Sequence, residues 1–326
     1  MPEKPTPEYI LDLAKRLEDL WAEAHAHWAI IDSYYNRTFA LWPEGALNDS
    51  RTPYHPSTPT NIIDHAVDIQ LAFDPKPHRP PASKGETSKE YADLIERWLS
   101  AAFNHVALLE PMLTWKQVGK HLITYGYTVV EGPMLDLSGG PEEPKRRRGE
   151  PTTEWEGRKQ RYEIEARRYF PIRVRATHPA RVLLDPTEKM PREAIKRVSQ
   201  FAGKLHEATT RKRRNRQIER VFEAGDNYFE PVETTDYWTS GYHAVFASGD
   251  LLWIDVNTWG YPPFAHAFAG WGMDPTNEDE TNPRNLAVGI LDPILESIKV
   301  QAQAATGRHN ALMEAAYNQR ATTRDP

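Results

Sequence analysis

"TWGYPPFAHAFAGWGMDPTNEDETNPRNLAVGILDPILESIKVQAQAATGRHNALMEAAYNQR", residues Thr258–Arg320, holds three kinds of chain in succession. An aromatic, proline-stiffened segment through Phe264 reads as a strand, the acidic residues 273–285 read as a loop, and 286–320 reads as one long run of helix formers. About 35 helical residues at about 1.5 Å each make a rod on the order of 50 Å. Leu291, Ile294, Leu295 and Ile298 mark an apolar side at its start, and the alanines of QAQAAT permit close packing beside a neighbouring rod. With no later segment in the sequence to fold back on it, that side is expected to be covered by identical copies standing around a symmetry axis.

Working outward, EYILDLAKRLEDLWAEAHAHWAIIDSYYN places Ile10, Leu13, Leu17, Leu20, Trp21, Ala24 and Trp28 at three- and four-residue steps behind Pro7, which predicts an amphipathic helix. A loop rich in Pro, Ser, Thr and Asn follows, then a short helix, NIIDHAVDIQLAF, for which Asn61 is the expected cap. After a second Pro-rich interruption, Tyr91, Leu94, Ile95, Trp98, Leu99, Ala102 and Val106 form the stripe of another helix, which Pro111 kinks or restarts and Gly126 ends. Residues 1–125 are therefore read as a helical part.

Residues 126–272 are read as strand-rich. YTVVEGPML has β-branched strand chemistry, and LSGGPEEPKRRRGEPTTEWEG reads as a charged loop. FPIRVRATHPARVLLDP gives two short strands around His178-Pro179 and closes on the turn formers Asp185 and Pro186. REAIKRVSQF fits strand or helix, and HEATTRKRRNRQIERVFEAG fits helix. PVETTDYWTSGYHAVFASGDLLWIDVN reads as a β-hairpin turning at Ser248-Gly249-Asp250. The order predicts an α+β fold: a helical N-terminal part, a strand-rich middle with a β-hairpin, a long protruding C-terminal helix and a tail at 321–326.

Composition narrows the function classes. A net charge of -6 over 326 residues and a mean hydropathy of -0.68 describe a solvated surface, unlike one built as a whole to grip nucleic acid. The absence of cysteine excludes disulfides, thiolate zinc sites and cysteine nucleophiles. No apolar run reaches the roughly 18 to 20 residues that span a bilayer, and MPEKPTPEYILDLAKR lacks the pattern of a signal peptide, so a soluble intracellular product without a membrane partner is expected. There is no P-loop, no G-x-G-x-x-G and no G-x-S-x-G; FASGD is explained by turn chemistry. His25 and His27 stand two apart on a helix and point to different faces, unlike a zincin pair. No catalytic residue, cofactor or metal is therefore expected.

Two basic runs remain. KRRRG at Lys145–Gly149 is flanked by Glu142, Glu143, Glu150 and Glu154, which favours a solvated loop over a phosphate patch. Arg211, Lys212, Arg213 and Arg214 are the candidates for nucleic-acid contact, set against an exposed helix face. The aromatics Trp238, Tyr242, Trp253, Trp259, Phe264, Phe268 and Trp271 are read as core packing and subunit contact.

One family resemblance emerges from these segments taken in order. TTDYWTSGYHAVFASGDLLWIDVNTWGYPPFAHAFAG, the acidic loop and the helix beyond it resemble the portal proteins of tailed bacteriophages, the head-to-tail connectors. The matching residues are Trp238 and Tyr242 of the hairpin, Gly260, Pro263 and Phe264 of the strand behind it, and Asn285 to Gly289 before the helix. Upstream, RVRATHPARVLLDP with Asp185 and Pro186 is similar to the family's strand ending in DP, and KQVGKHLITYGYTVVEG to its helix-to-strand step with a YG hinge.

The resemblance implies a non-enzymatic virion protein at the capsid vertex, in the host cytoplasm during assembly. Its partners would be copies of itself in a ring of about twelve subunits, the double-stranded DNA passing through during packaging and ejection, the terminase, the major capsid protein and head-completion or adaptor proteins. Residues 1–272 would be the wing, with Trp238, Tyr242, Pro263, Phe264, Asp185 and Pro186 as structural anchors, and 286–320 the first stem helix. The family's clip, second stem helix, tunnel loop and crown have no positions here, so the expectation is part of a longer product or a short member. An acidic or mixed channel wall suits DNA that must slide, since every neutralised phosphate adds affinity. The alternatives are another capsid-associated scaffold or adaptor, or a DNA-processing enzyme, which would need clustered carboxylates or histidines in a cleft.

Overall fold

The computed structural model describes residues 4–42, 53–72, 78–109, 114–135, 140–188, 190–210, 228–269 and 282–322. α1 (Pro7–Tyr35) begins where the Thr6 hydroxyl accepts the N–H of Tyr9, with Pro7 at a position whose missing N–H costs nothing. It buries Ile10, Ala14, Leu17, Trp21, Ala24, Trp28, Ile31 and Tyr34 on one side. Leu20 of the expected stripe is exposed and Leu13 sits at its margin. α2 (Thr58–Ala72) starts earlier than expected, and Asn61 is not its cap: Asn61 lies in the first turn, its N–H bonded to the carbonyl of Ser57. Pro59, suited to a helix start, moves the boundary forward.

α3 (Glu86–Leu109) departs further from expectation. Ala92 and Val106 are buried and Ile95, Leu99 and Ala102 half-buried, but Tyr91, Leu94 and Trp98 stand 61%, 57% and 55% exposed. The seven-residue stripe is wider than the contact the body offers this helix. α4 (Thr114–Tyr125) stops at Gly126, whose φ of 67° is the left-handed stop the sequence predicts. Pro111 lies outside the described residues.

Two antiparallel sheets follow. β1 (Tyr127–Leu135) lies between β2 (Ile172–Thr177) and β8 (Phe264–Phe268). β3 (Val182–Leu184), β4 (Glu193–Phe201), β5 (Pro231–Thr239), β6 (Tyr242–Ala247) and β7 (Asp250–Val256) form a second sheet in chain order. Every pairing among the described strands is antiparallel, so the fold is α+β. REAIKRVSQF resolves as strand because it pairs with β5 from Glu193–Thr239 to Phe201–Pro231.

The segment read as a single hairpin is a three-stranded meander. Its second turn falls where expected: Ser248 and Gly249 both take positive φ, 52° and 87°, the twist that matches two-residue hairpins. Its first turn is held by the Thr239 hydroxyl, which accepts the N–H groups of Gly241 and Tyr242. Asp185 forms the expected turn, its Oδ1 accepting from the Thr187 N–H at 2.9 Å and hydroxyl at 2.6 Å, with Pro186 buried behind it. α5 (Thr152–Arg168) occupies sequence read as loop through Gly157; its charged composition carries no apolar stripe to announce it. α6 (Ala202–Thr210) covers the end of the second sheet, with Leu205 against Val245, Ala247 and Leu252.

The main core lies between α1 and both sheets. Trp21 and Trp28 pack on Tyr127 with ring centroids 4.8 and 5.8 Å away, and Phe268 joins them 4.6 Å from Tyr127. The polar edges find partners. Trp21 Nε1 donates to the Leu184 carbonyl at 2.8 Å, and His266 donates from Nε2 to the Glu188 carbonyl, leaving Nδ1 to accept from the Tyr127 hydroxyl.

Where the sheets meet, Lys196 of β4 donates to Glu131 of β1 at 2.6 Å in a nearly buried pair. Asp236 lies cross-strand from Lys196 with its Oδ1 unbonded, and burial, opposed by Lys196, pushes its carboxyl up to about 6. A carboxyl raised in the folded state contributes stability below its ordinary range and loses it as pH rises through about 6. Asp236→Asn cannot ionise, so urea unfolding should show its advantage over the native chain widening by about 2 kcal/mol between pH 4 and pH 8. A constant difference across that range would contradict the assignment.

Candidate functional site

The region that fixes the C-terminal helix on the body is the candidate site. It begins at α7 (Pro283–Leu286), capped by Asn282, whose side chain accepts the Arg284 N–H at 2.9 Å and donates to Glu23 of α1 at 3.1 Å. The chain then crosses the step between α4 and β1 with backbone against backbone. Ile290 N–H donates to the Ile123 carbonyl at 2.9 Å. A Cβ on Gly126 would stand 2.2 Å from the Val288 nitrogen, and one on Gly289 would stand 2.0 Å from the Thr124 oxygen. Two glycines far apart in sequence thus form one interlock.

A 3-10 turn, Asp292–Ile294, follows with Pro293 inside it. The Asp292 carboxylate accepts the Gly289 N–H, contacts His27 of α1 and lies 3.6 Å from Arg284. One acid therefore ties the loop to the first helix and to the cap ahead of it. α8 (Leu295–Thr322) then runs for 28 residues, about 42 Å at the α-helical rise. Residues 287–291, expected to be helix, are not part of this rod; the chain turns there at Gly289, and Pro293 sits in the opening 3-10 turn, where a proline is tolerated.

The expected apolar side is present but its covering differs. Leu291, Leu295 and Ile298 are 0%, 8% and 3% exposed within a single chain, packed in the core with Tyr34, Phe39 and Leu41, and Ile294 is partly buried at its edge. The expectation that copies of the chain cover these four residues is corrected: Leu291, Leu295 and Ile298 are buried in the chain's own core, with Ile294 at its edge. Periodicity shows which side of a helix is apolar, not what lies against it. The seat continues through Ala302 to Thr306, whose hydroxyl donates to the Ala302 carbonyl at 2.8 Å and accepts the Tyr54 N–H at 2.9 Å. From Gly307 the helix leaves the body: residues 307–309 and 311–315 are exposed, Leu312 and Met313 among them.

Beneath this root lie His25, Asp32, His121, Tyr125 and His178. The Tyr125 hydroxyl donates to Asp32 at 2.6 Å, and burial with that bond pushes the phenol far up. Burial holds all three imidazoles below the ordinary histidine range, His121 down to about 4 with His178 and Lys120 contributing. Beside the root, an apolar cavity of about 450 Å³ is lined by Ile69, Leu122, Phe268, Val288 and Ile290 among others.

The other predicted residues distribute as follows. Pro263 and Phe264 are buried at the start of β8, and Trp238 is half-buried and stacked on His243 with centroids 3.6 Å apart; Tyr242 is half-buried nearby. Arg211, Lys212, Arg213 and Arg214, with Trp271, lie outside the described residues. The Lys145–Gly149 run folds back on acid: Arg147 N–H donates to Glu150, which also accepts two bonds from Arg158, at 2.7 and 2.6 Å. Among the described residues no group of three or more His, Asp or Glu is arranged to hold a metal ion, and no helix is long and apolar enough to cross a membrane. The glycine interlock and the Asp292 tie were not anticipated, although the YG and small-residue loop motifs that meet there were both singled out. Comparison with known protein families and with curated proteins returned no match.

Proposed function

We propose that the chain is the wing and first stem helix of a phage portal protein, a ring of copies through which double-stranded DNA passes. The observation that carries this reading is a long helix whose root is tied to the body and whose residues 307–309 and 311–315 are exposed. Its buried first turns need no second copy, so the ring rests on the exposed residues 307–309 and 311–315 of α8 and on the outward stripe of α3. Tyr91, Leu94 and Trp98 sit at three- and four-residue steps on one side of α3, a contiguous apolar surface of the kind that subunit contacts cover. The order of the motifs and the modest acidic balance agree with a channel that must not grip its cargo.

Negative-stain images and sedimentation of the purified chain test the reading. Rings with a central hole are expected. A monomer at every concentration overturns it, and a globular oligomer without a hole points to a capsid-associated adaptor. Leu94→Asp with Trp98→Asp should abolish the ring while changing the stability of one chain by no more than about 0.5 kcal/mol per substitution, since both positions are exposed.

A further inference from the structure

Three histidines converge beneath the root of the C-terminal helix, one from each of three segments. His25 belongs to α1, His121 to α4 and His178 to the turn that precedes β3. The rings of His121 and His178 lie 5.6 Å apart, His178 lies 5.3 Å from Tyr125, and His25 lies 5.3 Å from Trp28. His178 Nδ1 accepts the Ala180 N–H at 3.3 Å, so the neutral ring carries its proton on Nε2 and donates it toward Tyr125 at 3.1 Å. Tyr125 donates onward to Asp32. His25 Nε2 and His121 Nδ1 are buried without a partner.

Charged groups approach the cluster from four segments. Asp32 comes from α1, Lys120 from α4, Arg181 from the turn before β3 and Arg197 from β4. Asp32, already bonded to Tyr125, thus faces the imidazoles, while Arg197 is paired with Glu18 and Lys120 lies 3.8 Å from Asp64. A proton entering His178 at Nδ1 must displace the Ala180 N–H that caps the turn. The same elements hold the root. His27, two residues from His25, meets Asp292, and Ile123 and Gly126 on either side of Tyr125 meet Ile290 and Val288.

We propose that these three histidines form an acid-operated latch: charging them drives α1 and α4 apart and releases residues 287–302, while the five-stranded sheet stays folded. The depressed titration of all three, caused first by burial, keeps the latch closed at neutral pH. The sign follows from linkage. A histidine lowered in the folded state contributes stability above its ordinary value of 6.5 and loses it as pH falls toward its folded value, about 4 for His121. The latch does not depend on the ring reading, since every contact in it lies within one chain.

Hydrogen exchange on the full chain between pH 7 and pH 4.5, expressed as protection factors, tests it. Protection over 287–302 should fall by about tenfold or more, with 235–247 unchanged, and the fall should be much smaller in the double variant His25→Phe, His121→Phe, which leaves only His178 of the three to charge. An equal fall in the two regions overturns the proposal. So does an undiminished fall in the double variant. Should that variant fail to fold, imidazole proton titration of the native chain decides: all three rings are expected below 6.5, and any ring at or above that value overturns the latch.

Discussion

Gly126→Ala should destabilise the chain by about 3 to 5 kcal/mol in urea unfolding. Two costs combine at this position. The residue sits at φ 67°, where a side chain crowds its own carbonyl, and the added Cβ would meet the Val288 nitrogen at 2.2 Å. The obstructing atoms are backbone, held by the Ile290–Ile123 hydrogen bond, so they cannot rotate aside as a side chain would. Gly289→Ala presses on the same interlock from the other side, and the two substitutions should couple rather than add. Gly307 provides the contrast. It lies in α8 with nothing within 4 Å of where an added Cβ would stand, so Gly307→Ala should stabilise the helix by about 0.5 to 1 kcal/mol. If Gly126→Ala and Gly307→Ala behaved alike, the interlock would not be what holds the helix root.

Phe264→Ala should cost about 3 to 5 kcal/mol. Phe264 is 5% exposed, opens β8 opposite Glu131 of β1 and belongs to the main core. Its position is set by its neighbours: Pro262 and Pro263 are buried, and the Pro263 carbonyl accepts the Gly132 N–H at 2.7 Å. Because that bond anchors the backbone, the site cannot collapse to fill the space the ring leaves. Phe229, 66% exposed, serves as the reference, and its replacement by Ala should change stability by less than about 1 kcal/mol. A loss below about 1 kcal/mol at Phe264 as well would remove this residue from the core.

Particular residues show where sequence reasoning reached and where it stopped. The α1 stripe was legible because Ile10, Leu17, Trp21, Ala24 and Trp28 repeat at the helical period and all face the body. Gly126 and the Ser248-Gly249 turn were legible because their backbone angles are ones that few residues adopt. Tyr91, Leu94 and Trp98 fit the same period as the inner residues of α3 yet face outward, since an apolar pattern cannot state how much surface the body presents. α5 escaped for the opposite reason, having no apolar pattern at all.

The candidate site was half visible. The YG step and the small residues before the last helix stood out singly, but that Gly126 receives Val288 and Gly289 receives the Thr124 carbonyl is a fact of two distant segments meeting. That His121 and His178 come within 5.6 Å of one another is invisible to sequence for the same reason.

By itself the sequence determined the α+β order of elements, the helix stop at Gly126, the turn at Asp185 and the existence of a long final helix, because local backbone preference and side-chain period act within a few residues. Only the tertiary structure decided that Leu291, Leu295 and Ile298 are buried in the core of their own chain, and that Asp292 is tied to His27. Burial and electrostatic pairing are properties of what a side chain meets, and that partner is chosen by the whole fold.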